Sequence, residues 1–305
     1  MGDLRRDPVR VVVPATSANL GPAFDSAGLA LDIADEFVAM VSDDPGVLIE
    51  VAGEGADLVP RDASHLVVRS MALGFEAMGI RPNGFVLRCT NVIPHGRGMG
   101  SSAAAIVGGL VLARAMAVDG LSMLSDDDVM QLALTMEAHP DNITATLFGG
   151  LTFSWIDEAG IAGHVKRPVH REIVPVLAVP SDAVPTSQAR SLLAPQVDRT
   201  DASFNIARAS LLVHALSDDP TMLLEATRDR LHQDARRGMY AASLDLIDRL
   251  RAESIPAVIS GAGPTVLVLA SSSTADRVRV LADPAWDVRR AGVAMLGARE
   301  LPAHP

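Results

Sequence analysis

The chain is poor in three things on which many ligand sites depend. Its 305 residues include one cysteine, Cys89, and one lysine, Lys166, and 26 Lys plus Arg against 37 Asp plus Glu leave a formal charge of −11. A single cysteine forbids an intrachain disulfide and a cysteine-rich zinc site. The lone lysine excludes a P-loop, whose G-x-x-x-x-G-K-[ST] run needs lysine beside glycine. It also excludes a protein kinase, which needs a strand lysine near its N-terminus and an H-R-D loop. The acidic balance disfavours nucleic acid, whose partners carry a basic field. Long hydrophobic runs are missing too: the uncharged apolar stretch between Arg97 and Arg114 holds two serines and four glycines, and falls short of a bilayer-spanning helix. Residues 1–10 are charged and lead into Val-Arg-Val-Val-Val, so no leader is expected and a cytoplasmic protein is.

Apolar residues make up 49% of the chain and charged residues 21%, the balance of a globular protein rather than a disordered or fibrous one. The length suits about two domains. Hydrophobic patterning predicts strands at 9–13, 36–41, 47–52, 85–90 and 150–155, a helix over 64–79 and a buried, Ala-rich helix over 101–118. Ser125 followed by Asp126, Asp127 and Asp128 reads as an N-cap with an acidic first turn that suits the helix dipole. After the turn Asp157-Glu158-Ala159-Gly160, prolines at 168, 175, 180 and 185 change the texture, and a boundary is expected within 157–170, giving domains 1–160 and 161–305. The second half is expected to hold a strand at 172–179, helices near 200–216, 220–231 and 240–253, strands at 257–259 and 265–270 and a helix from about 274. Strands and helices interleaved with short hairpins predict an α+β fold rather than regular βαβ winding.

Three segments carry chemistry. The central one is Ile93-Pro94-His95-Gly96-Arg97-Gly98-Met99-Gly100-Ser101-Ser102-Ala103-Ala104-Ala105. Glycines at alternate positions let backbone approach a ligand, and two serines stand at the start of a helix whose first N–H groups have no partner; that arrangement binds phosphate without a lysine. A loop that merely turns the chain into a buried helix would also read this way. Gly98-x-Gly-x-x-Ala103 mimics a dinucleotide fingerprint, with Asp119 at a suitable distance. However, residues 91–96 separate it from the preceding strand and Asp119 falls in a turn, which argues against that fingerprint. The second segment, Pro14-Ala15-Thr16-Ser17-Ala18-Asn19-Leu20-Gly21-Pro22-Ala23-Phe24-Asp25, offers an amide and a carboxylate in a loop of small residues, suited to a compact polar substrate. The third, Ser260-Gly261-Ala262-Gly263-Pro264-Thr265, brings backbone close to something or simply connects a hairpin.

In this order and spacing the three segments resemble those of the GHMP small-molecule kinases in their homoserine kinase form, the wording Thr-Ser-Ala-Asn-Leu-Gly-Pro at 16–22 being specific to that form. The resemblance spans nearly the whole chain. It implies an N-terminal domain like ribosomal protein S5 domain 2, a ferredoxin-like C-terminal domain, and ATP with Mg²⁺ phosphorylating the side-chain hydroxyl of L-homoserine. It implies no nucleic-acid or membrane partner, and leaves a homodimer open. By that likeness Pro94, His95, Gly96, Arg97, Gly98, Met99, Gly100, Ser101, Ser102, Ala103 and Ala104 form the phosphate loop. Ser102 and Glu137, the latter on a following helix and opening Glu-Ala-His-Pro-Asp-Asn, correspond to the magnesium ligands. Asp25 suits the substrate ammonium, and Arg190 and Arg236 its carboxylate, for which a guanidinium offers a bidentate fork. Asn19, His139, Asn142, Thr186 and Gly261 match the remaining contacts. Some relatives carry an aspartate proposed as base where this chain has Asn142, which cannot take a proton; the resemblance then implies direct attack by the substrate hydroxyl, with alignment and charge neutralisation as the sources of catalysis.

The chain departs from the family at Ala23, Ala27, Asp234 and Ala235. Ala23 stands where glycine is usual, and the last two replace Pro and Tyr before Arg236, which leaves Arg237 as an alternative to Arg236. A kinase for threonine, or an idle member that senses a metabolite, meets the same pattern.

Overall fold

The structure, a computed structural model, describes residues 3–302. The first part is a mixed layer of strands backed by helices. It runs β1 (Val9–Ala18), β2 (Ala27–Ser42), β3 (Gly46–Gly53), α1 (Leu66–Ala77), β4 (Gly84–Asn91), α2 (Ser101–Met116), a short α3 (Gly120–Met123), α4 (Asp126–Leu134), α5 (Pro140–Phe148), β5 (Leu151–Ile156) and β6 (Ala162–Arg167). The second part runs β7 (Val174–Val179), α6 (Thr186–Ser191), α7 (Arg199–Ser217), α8 (Leu223–Ala226), α9 (Ala241–Ala252), β8 (Ala257–Ile259), β9 (Val266–Ala270), α10 (Ala275–Leu281), β10 (Asp287–Arg290) and β11 (Arg299–Leu301).

One sheet has the order β11-β1-β2-β4-β3, with β5 joined to β2 and β6 to β5. Val9, Val11 and Val13 alternate into the core, as a strand with one covered face requires. Pro14 has no N–H to give the ladder, and the register with β2 shifts between Pro14 and Ala15, a place where a strand tolerates proline. Around that shift β2 exchanges partners, residues 27–29 pairing β5 and residues 36–42 pairing β4. It is therefore far longer than the expected 36–41. Helix α2 is apolar on all sides because it is sandwiched: a Cβ on Gly108 would collide with Phe37 and Val13 of the sheet, and one on Gly109 with Ser70 and the Val67 backbone of α1. Leu110 and Leu112 are wholly buried there, positions where truncation to alanine typically costs about 2–5 kcal/mol. Cys89 sits in the same core, and burial pushes its thiol up to about 12.

The other sheet, β10-β7-β9-β8, is antiparallel. Numbered within its own part this order is 4-1-3-2, with helices between the first and second and the third and fourth strands, the ferredoxin-like arrangement. It has its own core around Val176, Leu244, Val266 and Val278.

Several expectations change. The position 160/161 falls in the turn between β5 and β6, two strands of one sheet, and the chain leaves that sheet only after Arg167; β11 then returns to pair with β1. The helix expected over 220–231 is a 3₁₀ turn at Pro220–Met222 followed by the single turn of α8. Beyond it the Asp229 carboxylate accepts the N–H groups of Leu231, His232 and Gln233, side-chain bonds that compete with helix continuation. Ser125 does cap α4: its hydroxyl accepts from Asp128 N–H while the Asp128 carboxylate accepts from Ser125 N–H. Helices α5 and α6 and strands β6, β10 and β11 are short and were not anticipated.

Candidate active site

The three motif segments, far apart in the chain, meet at one cleft. Thr16 N–H donates to Met99 carbonyl (3.1 Å), Gly261 N–H to Ala18 carbonyl (3.1 Å), and Ser260 Oγ lies 2.7 Å from the Gly98 carbonyl and 2.8 Å from Ser17 Oγ. Gly96, Gly98 and Gly100 have φ of 65°, 70° and 71°, left-handed values that cost a residue with a Cβ. Space forbids a side chain as well: a Cβ at Gly98 would strike the Ser260 carbonyl, and one at Gly100 the Thr16 hydroxyl. Gly100 begins α2 with no side-chain cap, so the first N–H groups of the helix remain for a ligand. The cleft, about 240 Å³, is lined from this side by Gly96, Gly98 to Ala103.

Not every residue of the loop faces that cleft. Ala104 is fully buried and its N–H donates to Gly100 carbonyl, so it has nothing left to offer a phosphate. Arg97 straps the loop to the second part of the molecule, donating to the carbonyls of Pro180 (3.1 Å) and Ser181 (2.5 Å). His95 stands against Gly55, and burial holds its pKa below the ordinary value. Pro94 and Arg97 instead line a neighbouring cleft of about 640 Å³ shared with Gly53, Gly55, Asn91 and Pro180, which sequence patterning gave no sign of.

Glu137 lies in the linker between α4 and α5, not on a helix. Helix α4 ends at Leu134, and Pro140, which opens α5, keeps His139 extended (φ −112°, ψ 121°), so residues 135–139 link the two helices. The two carboxylate oxygens are divided: Oε1 is 3.0 Å from His139 Nδ1 and Oε2 is 3.4 Å from Ser102 Oγ. The hydrogen bond with His139 holds Glu137 below the usual carboxylate range against the effect of burial, and raises the His139 pKa in turn. Among the described residues no group of three or more His, Cys, Asp or Glu could hold a metal unaided. A hydroxyl beside one ionised carboxylate at the mouth of a phosphate loop nevertheless fits Mg²⁺, which usually takes one or two protein oxygens together with phosphates and water.

Across the cleft the side chains are densely paired. Asp25 accepts both arms of Arg190 (2.5 and 3.2 Å), and its Oδ2 is 3.9 Å from His139 Nε2. The two groups expected to hold opposite ends of a substrate thus hold each other in the free protein. Asn19, at φ 69°, uses both ends of its amide internally, donating to Gly261 carbonyl (3.0 Å) and accepting from Asp25 N–H (2.9 Å). Thr16 Oγ donates to Asn142 Oδ1 (2.8 Å), which leaves the Asn142 NH₂ as a donor. Arg236 lines the cleft although only 1% exposed, while Arg237 points elsewhere, to Asp234, Asp245 and Asp248. Losing Pro and Tyr therefore does not displace Arg236. Ala23 is harmless too, since its φ is not positive. Thr186 opens α6; its side chain lies outside the described residues.

Three neighbours were not anticipated. Asp141 lines the cleft, accepts Asn142 N–H (2.7 Å), and is pushed up to about 7 by burial. Phe24 lies 5.2 Å from the Arg190 guanidinium and 5.9 Å from that of Arg236. His232 contacts Arg236 from behind. Asp141 and Phe24 stand inside the quoted segments and His232 four residues before Arg236, but no residue type or spacing gives any of the three a role of its own.

A phosphate loop facing a carboxylate, built between a mixed sheet and a ferredoxin-like sheet, is the arrangement of a GHMP kinase, and residues 65–150 match the GHMP kinases N terminal domain and residues 212–280 the GHMP kinases C terminal domain. The chain is 50% identical to a homoserine kinase of Streptomyces coelicolor over 96% of its own length and 94% of that protein, and 44% identical to one of Mycobacterium tuberculosis over 86% and 84%. A crystal structure of homoserine kinase from Cytophaga hutchinsonii superposes with a TM-score of 0.85 at 25% identity, covering 99% of each chain. The chain belongs to the homoserine kinase family. Among the described residues no helix is long and apolar enough to cross a membrane.

Proposed function

We propose that this protein transfers the γ-phosphoryl group of ATP to the side-chain hydroxyl of L-homoserine, giving O-phospho-L-homoserine and ADP. The observation that carries the reading is the single cleft in which the uncapped N-terminus of α2 faces two arginines and an aspartate across Ser102 and Glu137. The glycine loop would receive the phosphates on backbone N–H groups, and the adjoining 640 Å³ cleft has room for the nucleoside. Ser102 Oγ and Glu137 Oε2 would hold Mg²⁺, which when bound neutralises charge on the transferring phosphates.

On the other side Asp25 and Arg190 would exchange their mutual ion pair for the ammonium and carboxylate of the amino acid, with Arg236 as a second carboxylate partner. The Asn142 NH₂, oriented by the Thr16 hydroxyl that donates to Oδ1, would donate to the substrate hydroxyl oxygen. In the reaction that oxygen bonds to the γ-phosphorus as the bond to the β–γ bridging oxygen breaks, and the hydroxyl proton passes to a phosphate oxygen or water. Asn142 cannot accept it, so alignment and charge neutralisation carry the catalysis. A cytoplasmic site of action belongs to this reading.

The test is a coupled ADP-release assay with homoserine, threonine, shikimate and mevalonate at millimolar concentration. Turnover with homoserine well above the others is expected. A preference for threonine would move the substrate assignment, and no turnover with any of them would favour a binding role.

A further inference from the structure

Where α8 ends, a carboxylate with none of its surface exposed organises the chain. Asp229 accepts N–H groups from Leu231 (3.1 Å), His232 (3.0 Å) and Gln233 (2.8 Å) and the amide of Asn205 (2.7 Å). The turn so made holds His232 with 1% of its side chain exposed. Its two ring nitrogens face different parts of the site: Nδ1 is 3.0 Å from Nη1 of Arg236, and Nε2 is 2.7 Å from the Gly21 carbonyl. A guanidinium can only donate and a carbonyl can only accept. The two partners together therefore require a neutral ring with Nδ1 bare and the proton on Nε2.

Gly21 lies in the loop that carries Asn19 and Asp25, and that loop is strained, with φ of 69° at Asn19, 46° at Leu20 and 56° at Asp25. Such a backbone persists only when its surroundings over-determine it. The imidazole also lies 5.0 Å from the Phe24 ring, over which both Arg190 and Arg236 sit. We infer that His232 is a positioning residue that ties the two halves of the amino-acid grip into one unit, holding Arg236 at the cleft and the 19–25 loop in its strained form. The inference rests on the reading that Arg236 receives the substrate carboxylate.

A proton on Nδ1 would set N–H against N–H and release Arg236. Burial, with the Arg236 charge, keeps the imidazole below its ordinary value, while Asp229, the Gly21 carbonyl and Asp25 act the other way. Arg236 release is thus displaced to the acid side of the ordinary imidazole range.

Steady-state kinetics on the intact enzyme test this. His232→Leu is expected to raise the homoserine KM at least tenfold with the ATP KM within twofold, and His232→Asn, whose Oδ1 can still accept from Arg236, to recover most of that loss. On an Arg236→Lys background His232→Leu is expected to add less than twofold. A homoserine KM unchanged in His232→Leu, equal rises in both KM values, or full multiplication of the two substitutions overturns the tie. If Arg236→Lys alone leaves the homoserine KM unchanged, it is the carboxylate assignment that falls, and the tie with it. Should His232→Leu not fold, a pH series decides: as pH falls through and below the ordinary imidazole range, the homoserine KM of the unsubstituted enzyme should climb more than that of His232→Asn, and an equal climb in both overturns the inference.

Discussion

The glycine-loop side of the cleft and the side that carries Arg190 and Arg236 are built from different material. Backbone makes the first: one continuous loop, three glycines in left-handed conformations and a helix terminus, with Ser102 and Glu137 the side chains that complete it. Side chains make the second, and they come from the 19–25 loop, the linker before α5, α6 and the turn at Asp229. A backbone site depends on the shape of one short segment, so it forms wherever that segment is unstrained by a Cβ. A side-chain site depends on distant elements arriving together, and here Asp25 and Arg190 meet in an ion pair across 165 residues of chain. The difference teaches that substitutions on the two sides should damage different kinetic constants.

Removing Glu137 should do most. Glu137→Ala is expected to lower kcat roughly 10²–10³-fold, the usual loss for one electrostatic group at a phosphoryl or oxyanion site, with the homoserine KM little moved; a kcat within twofold of the parent, measured over a Mg²⁺ titration, would remove its metal role. Gly98→Ala comes next. It places a Cβ against the Ser260 carbonyl at φ 70°, and a shift of the loop by about 1 Å should cost on the order of 10² in kcat/KM for ATP. An unaltered kcat/KM would mean that the loop tolerates a side chain and that the backbone description is wrong. Arg190→Lys is the mildest. It keeps the charge and loses the two-armed contact with Asp25, so the homoserine KM should rise about tenfold while the ATP KM holds. If the ATP KM rose instead, the division of the cleft into two sides would fail.

What could be read in advance follows the same line. The phosphate loop was legible because glycine spacing and a helix start are local facts, and the strands at 85–90 and 257–259 and the helix over 101–118 were legible through their own patterning. Glu137 was found, but placed on a helix, whereas α4 ends at Leu134 and Pro140 keeps His139 extended. The helix expected over 220–231 failed for a reason no window of sequence contains: Asp229 turns its carboxylate on the backbone ahead of it, and Asn205, 24 residues upstream, completes the arrangement. His232 is one of eight histidines, and its link to Arg236 and Gly21 exists only in the folded chain.

Scarcity of lysine and cysteine excluded from the sequence alone a lysine-bearing P-loop, an intrachain disulfide and a cysteine-rich zinc site. Motif order determined the family. Only the tertiary structure decided that Asp25 and Arg190 face each other, that Arg236 rather than Arg237 enters the cleft, and that β11 closes the first sheet from the far end of the chain. Backbone conformation is set largely by each residue and its neighbours, whereas a contact between side chains more than a hundred residues apart exists only once the core between them has formed.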